Sequence, residues 1–518
     1  MATSSITRLT GLASGMDTDS IVKKLMDVEK IPLNRLKQSQ QKQTWMSDMY
    51  RQWNADLLSF RTNTLLNMKL SGAYNTFDVT SSNPNSISGT AATNAITGTY
   101  SVAVKQLADS ATLTGNNVVL DPTKTLGNEV QGARQLTANT SININVYNDP
   151  TNPTVSQTAN IAINTTDTIN DVVSKINSAM DANGKSLGLQ AIYDPNMQQF
   201  IMKTKTTGES VKIDLSANTD PASLQFLNNT LGIGTLTATG KNADIIVNGK
   251  EINTITSNDV KIMGINFSLK NTTIDANGQL TTNTVTVSQS VDTVVKNVKD
   301  FVDKYNDLLD KMNKAVTESV YKDYQPLTDD QRSELSEKQI EMWESKAKSG
   351  LLRGDSIFNG LINKMRNSMS SIVSNGSSFN TLASIGISST SYQDRGKLYV
   401  DETKLREAIQ TDPGAVEKLF SQSGDTALGT NGLINQLADV MNQGIKDLTA
   451  KAGSTANSQY DQSVIGRLLS KIQTDITRQT EKLSRKETQY YSQFSAMETA
   501  ITKYNSQSSW LSQQISSG

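Results

Sequence analysis

At 518 residues the chain exceeds what one hydrophobic core serves, and about 150 residues per domain points to roughly three or four bodies. Its 49 Lys and Arg offset 50 Asp and Glu, a net charge of -1 that offers no bulk attraction to nucleic acid or to an anionic membrane. With neither histidine nor cysteine it has no Ser-His-Asp or Cys-His nucleophile system, thiolate zinc site, haem ligand or histidine proton shuttle, and it needs no oxidising compartment to fold.

Residues 1–30 contain no apolar signal-peptide core, and no stretch approaches the ~20 consecutive apolar residues of a spanning helix, so membrane insertion is not expected, and if the protein leaves the cell it does so by another route. From Asp19 to about Met68 the pattern predicts two amphipathic helices in series. Ile21, Leu25, Val28 and Leu36 form a weak stripe interrupted at Pro32, followed by Met46, Tyr50, Trp53, Leu57 and Phe60 at spacings of three and four.

Texture then changes. Half of the residues from 71 to 100 are Ser, Thr or Asn, and apolar positions alternate, as in Tyr100, Val102, Val104 and again in Ile142, Ile144, Val146. Asn248-Gly249 and Asn277-Gly278 are expected to close two-residue hairpins, the second joining the strand with Ile265, Phe267 and Leu269 to the one with Val285 and Val287. Residues 161–215 predict a small α+β unit whose helix is capped by Thr168 and turns Ile169, Val172, Ile176 and Ala179 inward.

Helical grammar returns at Val291, with Val294, Val298, Phe301, Tyr305, Leu308, Met312 and Val316 on one face. On the other face Asp300-Lys304, Asp307-Lys311 and Asp310-Lys314 stand at i,i+4. Thr328 with Gln331 and Ser336 with Gln339 have capping-box spacing, Asp401 and Asp412 are placed as N-caps, and a short hairpin is expected from Ile385 to Val400. The C-terminal stripe runs Ile465, Leu469, Ile472, Ile476, Gln479, Leu483, Glu487, Tyr490, Phe494, Met497, Ile501, Tyr504, Ser508, Leu511, Ile515. No proline follows Pro413, so one helix of about 50 residues and ~75 Å is expected. Polar seam residues suit a stripe that awaits a partner, and the N-terminal helix pair is the nearest candidate.

Candidate chemistry is sparse. Gly184-Lys185-Ser186 follows a helix instead of opening one, and Gly232, Gly234 and Gly240 miss the dinucleotide spacing, so neither predicts phosphate binding. Asp17 and Asp19 imitate a calcium loop but lack its glycine, and Asp19 reads as a helix cap. Arg353-Gly354-Asp355 places Asp355 where the helix bearing Phe358, Ile362, Met365 and Met369 needs its cap. The remaining acids cap helices or pair with lysines. No catalytic residue, metal site or cofactor is therefore expected, and the polar faces of the helical ends, rich in Gln and Ser, favour a protein partner over lipid.

Gly11-Leu12-Ala13-Ser14-Gly15-Met16-Asp17-Thr18-Asp19-Ser20-Ile21-Val22, with Leu25-Met26 and Glu29, resembles the opening of the flagellar hook-associated protein 2 family, the bacterial filament-capping proteins. Tyr324-Gln325-Pro326-Leu327-Thr328 through Trp343, Lys346-Ala347-Lys348, Gly350-Leu351-Leu352 and Asp355 is similar to its central block, extended by Leu382 to Ile387 and Gly396-Lys397-Leu398. Tyr491 to Phe494, Glu498, Asn505 to Ser509 and Leu511 resemble its C-terminus, and 161–215 with Ile176-Asn177 resembles a hook IN motif shared with flagellins. The resemblance implies a non-enzymatic cap at the extracellular tip of the flagellum, exported through the flagellar type III channel without a cleaved signal. It implies a homo-oligomeric ring, usually a pentamer, that helps exported flagellin fold and polymerise. Flagellin, hook-filament junction proteins and, before secretion, an export chaperone would be its partners. A tip adhesin for host glycan or mucin and a filament or hook-junction subunit stand as alternatives.

These readings together predict an α+β multidomain fold, with long terminal helices forming a coiled-coil-like leg on a helical body and β-rich head domains inserted mid-chain. The expected divisions are a terminal docking region (1–43, 462–518), a helical leg domain (44–72, 287–461), a β-rich head domain (73–140, 235–286) and a second head domain with the hook-IN-like unit (141–234). Docking is expected through Ile21, Leu25, Val28, Leu36, Phe494, Met497, Ile501, Tyr504, Leu511 and Ile515.

Overall fold

Thr18–Glu29 and Ile31–Phe60 form helices α1 and α2 in a computed structural model that describes residues 15–128, 134–148, 154–454 and 461–516. Asp17 caps α1, accepting from Ser20 N at 3.1 Å and from Ser20 Oγ at 2.5 Å. This corrects the expectation for Asp19. A cap stands just outside the first helical residue, and the helix already begins at Thr18. Pro32 falls in the first turn of α2, where a missing N–H costs nothing, so the chain breaks at Lys30 and restarts at once.

The chain divides into two units, one of residues 1–74 with 294–518 and one of residues 75–293. The first takes in α3 (Val291–Thr317) from Val294 on, and in it α2 packs with α4 (Ser356–Met369), α5 (Leu433–Ala452) and α6 (Val464–Ser516); among the described residues it is helical apart from one pair of two-residue strands. Helix α5 runs antiparallel to α2, as polar contacts show: Arg51 Nε donates to Ala452 O, Asn54 to Thr449, and Arg61 to Asn442. Gly444 lets the helices close in, since a Cβ there would meet Leu361 at 3.0 Å and Leu57 at 3.4 Å. Phe358 is fully buried between helices, its ring 5.9 Å from Tyr50 and 5.4 Å from Trp53.

Every apolar residue expected on the face of α3 is buried, because the 3.6-residue period leaves one stripe on the core side. On its outer face Asp310 pairs with Lys314 as expected, whereas Asp300 pairs with Lys296, one turn the other way. Both capping boxes form, and Asp355, Asp401 and Asp412 cap their helices. Asp355 Oδ1 accepts from Ile357 N and Phe358 N, and its Oδ2 accepts from the Tyr50 hydroxyl. The Arg353-Gly354-Asp355 carboxylate is thus committed inside the fold.

The second unit is β-rich. A five-stranded antiparallel sheet orders Phe77–Ser81, Asn283–Gln289, Gly98–Gln106, Ala243–Val247 and Lys250–Ile255, and shares a core with a three-stranded sheet built on Ile265–Leu269. Asn248-Gly249 closes its hairpin with φ of 50° and 79°, the left-handed pair such a turn needs. Asn277-Gly278 does not join the strands expected of it. Ile265–Leu269 pairs with Ile87–Ala91 and Asp259–Ile262, while Asn277-Gly278 only turns the chain between the bridge partners Ile274 and Leu280. The tight turn at this sheet is Met263-Gly264, with Met263 at φ 52°.

A second core lies between the sheets built on Thr140–Tyr147 and on Gln199–Thr207, closed by the helix Ile169–Asn177. Thr168 and Asp171 form its capping box. Asn177 explains the Ile-Asn pair at its end: the side chain donates to Ala191 O at 3.0 Å and accepts from Ala191 N at 2.6 Å, stapling the helix to the free edge of Leu189–Asp194. Gly184, at φ 77°, sits in a turn where Asp181 Oδ1 accepts from Asn183 N and Lys185 N, so those donors face a carboxylate and not a phosphate.

Candidate functional site

Helix α6 spans 53 residues, from Val464 to Ser516, and runs antiparallel to α2 and then α1. Gln40 bonds Gln473 at 2.8 Å, Glu29 meets Lys486 and Tyr490, and Asp19 meets Tyr491, so position rises along one partner as it falls along the other. The pair shares a small core in which Val22, Met26 and Leu483 are buried and Leu33, Tyr490, Tyr491 and Phe494 pack against them.

Polar contacts clasp the same segment. Tyr490 Oη donates to Glu29 Oε1 at 3.1 Å, Lys486 Nζ stands 3.4 Å from the same oxygen, and Tyr491 Oη donates to Asp19 at 3.1 Å. The Tyr490 hydroxyl, and after it the Lys486 ammonium, holds the Glu29 carboxyl below its ordinary value. A carboxyl lowered in the folded state stabilises that state above its unfolded pKa of about 4.3, and the contribution is lost as pH falls through the lowered value. Glu29→Gln should therefore speed hydrogen exchange of α1 at pH 7, and the difference from the parent should shrink as pH falls below the ordinary carboxyl value of about 4.3. Equal exchange at pH 7 would remove Glu29 from the clasp.

The residues expected to dock divide into three groups. Phe494 packs against the shared core, and Ile21, Leu36, Met497 and Ile501 are half-buried. Leu25 and Val28 are exposed on α1, because the helix is apolar on two faces and the other one, Val22 with Met26, meets α6. Tyr504, Leu511 and Ile515 are exposed on α6, at 71, 55 and 75%, with Trp510 beside them at 60%. From Thr502 to Ser516 every residue of α6 is exposed, so the helix carries apolar side chains beyond its contact with α1. Val22, Met26 and Glu29 were missed as contact residues. Their only sequence signal was the i,i+4 spacing of Val22 and Met26, which the neighbouring Leu25-Val28 stripe masked. Gly11 to Ser14 of the N-terminal motif lie outside the described residues.

Nothing in this arrangement resembles reaction chemistry. Among the described residues no group of three or more acids could hold a metal ion, and no helix is long and apolar enough to cross a membrane.

Residues 14–111 match the family described as Flagellar hook-associated protein 2 N-terminus, and residues 240–506 match the Flagellar hook-associated protein 2 C-terminus. The chain belongs to the flagellar hook-associated protein 2 family. A flagellar hook-associated protein 2 of Halalkalibacterium halodurans is 30% identical over 539 residues, covering 98% of this chain and 99% of that protein. One of Thermotoga maritima is 25% identical over 625 residues, covering 98% of this chain and 95% of that protein. Among solved structures, the flagellar cap protein FliD D1-D2-D3 domains from Escherichia coli superpose with a TM-score of 0.53 at 20% identity, over 82% of this chain and 99% of that one, which shows a shared fold. Hook-associated protein 2 is a structural family and not an enzyme family. Its two matched segments leave 112–239 outside, which is most of the second β core.

Proposed function

We propose that this chain caps a bacterial flagellar filament at its extracellular tip, as a closed homo-oligomeric ring, of five copies on the family pattern, that holds exported flagellin while it folds and polymerises. The observation that carries this reading is the pairing of α1 with α6, beyond which the 53-residue helix carries the exposed apolar side chains Tyr504, Trp510, Leu511 and Ile515. Exposed apolar area of this kind gains roughly 25 cal/mol per Å2 when a partner covers it, and a helix already formed pays little ordering entropy at that moment.

In this account 1–43 with 462–518 docks to neighbouring copies and to the filament end, 44–72 with 287–461 forms the leg, and 73–140, 141–234 and 235–286 make the head that faces arriving flagellin. Hook-filament junction proteins, flagellin and an export chaperone are its partners, and export runs through the flagellar channel. No comparison favours the tip-adhesin or filament-subunit alternatives. The mass of the purified assembly tests the reading. The full chain should form one closed species of fixed subunit number, and removal of 502–518 should shift it to monomer. Open-ended filaments, or an unchanged assembly after truncation, would contradict it.

A further inference from the structure

The outer face of α6 carries a ridge of cations. Arg467, Lys471, Arg478, Lys482 and Arg485 recur at steps of four, seven, four and three, which at about 100° per residue keeps them within about 60° of one another. Ile465, Ile472, Ile476 and Leu483 are buried on the opposite side. All five bases are exposed, and among the described residues only Arg478 has an ion-pair partner, Asp475 of the same helix at 3.3 Å. Val464 and Leu468, also exposed, flank the first of them. A row of like charges without counter-charges repels itself, so it has electrostatic energy to recover from an acidic partner.

An acidic element stands on another side of the same helical unit. The helix Glu337–Lys348 and the segment before it expose Asp330, Glu334, Glu337 and Glu341, none of them in an ion pair among the described residues. The bases between these acids are Lys338 and Arg332, and Arg332 is committed to Glu344. No residue of the helix is buried. It is fastened to α2 by Lys37 with Asp329 at 2.5 Å, by Gln38 Nε2 donating to Pro326 O at 2.8 Å, and by Lys348 over the Trp45 ring. Met342, next to Glu341, is exposed. A helix that buries nothing within its own chain has a face left to cover.

The two elements share one height on α2. Gln40 bonds Gln473, so the antiparallel pairing sets Arg467 and Lys471 level with Trp45, the residue that Lys348 covers. Around α2, Lys37, Gln38 and Trp45 face the acidic helix, whereas Leu33 and Gln40 face α6 and its shared core, about a third of a turn away. Opposite charges at one level on two sides of one body let the basic side of each copy meet the acidic side of the next.

We propose that the basic ridge of α6 docks on the helix Glu337–Lys348 of a second copy, with Val464 and Leu468 against Met342 at its apolar centre. This contact presupposes the assembly of copies proposed above and adds to it the surface that the inner part of α6 meets, separate from the outer end at Tyr504 to Ile515.

The test measures self-association of the full chain by sedimentation for the parent, for Arg467→Glu with Lys471→Glu, for Glu334→Lys with Glu341→Lys, and for all four changes together. All four sites are exposed, so every variant should melt with the parent. Each two-site chain should associate at least about tenfold more weakly than the parent at about 0.1 M salt. The four-site chain exchanges the charges and restores their match, so it should associate at least about threefold more tightly than either two-site chain, whereas independent effects would make it the weakest of all. Raising the salt to about 0.5 M should weaken the parent and narrow these differences. A closed assembly of fixed number that ignores both reversals overturns the contact and keeps the ring. Open-ended assemblies that follow the same charge pattern keep the contact and fail the ring. A four-site chain weaker than both two-site chains overturns the contact, because the ridge then meets some other surface, and a parent that does not associate at all overturns both.

Discussion

Leu511→Asp should abolish assembly and leave the isolated fold intact. Leu511 lies on the part of α6 where every residue is exposed, so its side chain contributes nothing to the described core. Replacing it puts a carboxylate against apolar area that docking would take out of water, at a cost of about 2–3 kcal/mol, or roughly 30- to 150-fold in affinity. A carboxylate near a helix C-terminus also opposes the helix dipole, so Leu511→Gln serves as the control that removes the apolar contact without that charge. Both variants should melt with the parent, and both should fail to form the ring. A variant that assembles normally would move the docking surface elsewhere. A variant that melts early would show that Leu511 supports the fold.

Phe358→Ala should produce the largest loss of stability of any single truncation in the helical unit, about 3–5 kcal/mol. Phe358 is fully buried and touches Tyr50 and Trp53, and the N-cap three residues before it, Asp355, accepts from Tyr50. Removal leaves a cavity between α4 and α2 that neither helix collapses to fill while Asp355 and Tyr50 pin them at one end. Calorimetry should show the transition of the helical unit lowered by about 10 °C and that of the β-rich unit in place. A shift under about 2 °C would mean that the cavity closes without cost.

How much of this was legible in the sequence follows from how local each determinant is. The 53-residue α6 was legible because its steps of three and four persist without a proline. The capping boxes and the Asn248-Gly249 turn were legible because each signal and its structure lie within four residues. Met263-Gly264 was not, since methionine has no preference for positive φ and takes it here because Ile262 and Ile265 are held in register by the sheet. Asn277-Gly278 misled for the converse reason: it has turn chemistry, but the strand after it pairs with Phe77–Ser81 and Gly98–Gln106, partners that lie far away along the chain. In α1 both faces are apolar, and only the position of α6 decides that Val22 and Met26 turn inward and Leu25 and Val28 outward.

We infer that the chain retains flagellin at the filament tip through the outer end of α6. The most direct measurement is the amount of flagellin released into the medium by cells lacking this chain and complemented either with the full chain or with Leu511→Asp. Long filaments and little free flagellin are expected with the full chain, and abundant monomeric flagellin with few or no filaments with Leu511→Asp at equal secretion of both proteins. Filaments of normal length with Leu511→Asp, or no excess flagellin when the chain is absent, would contradict it.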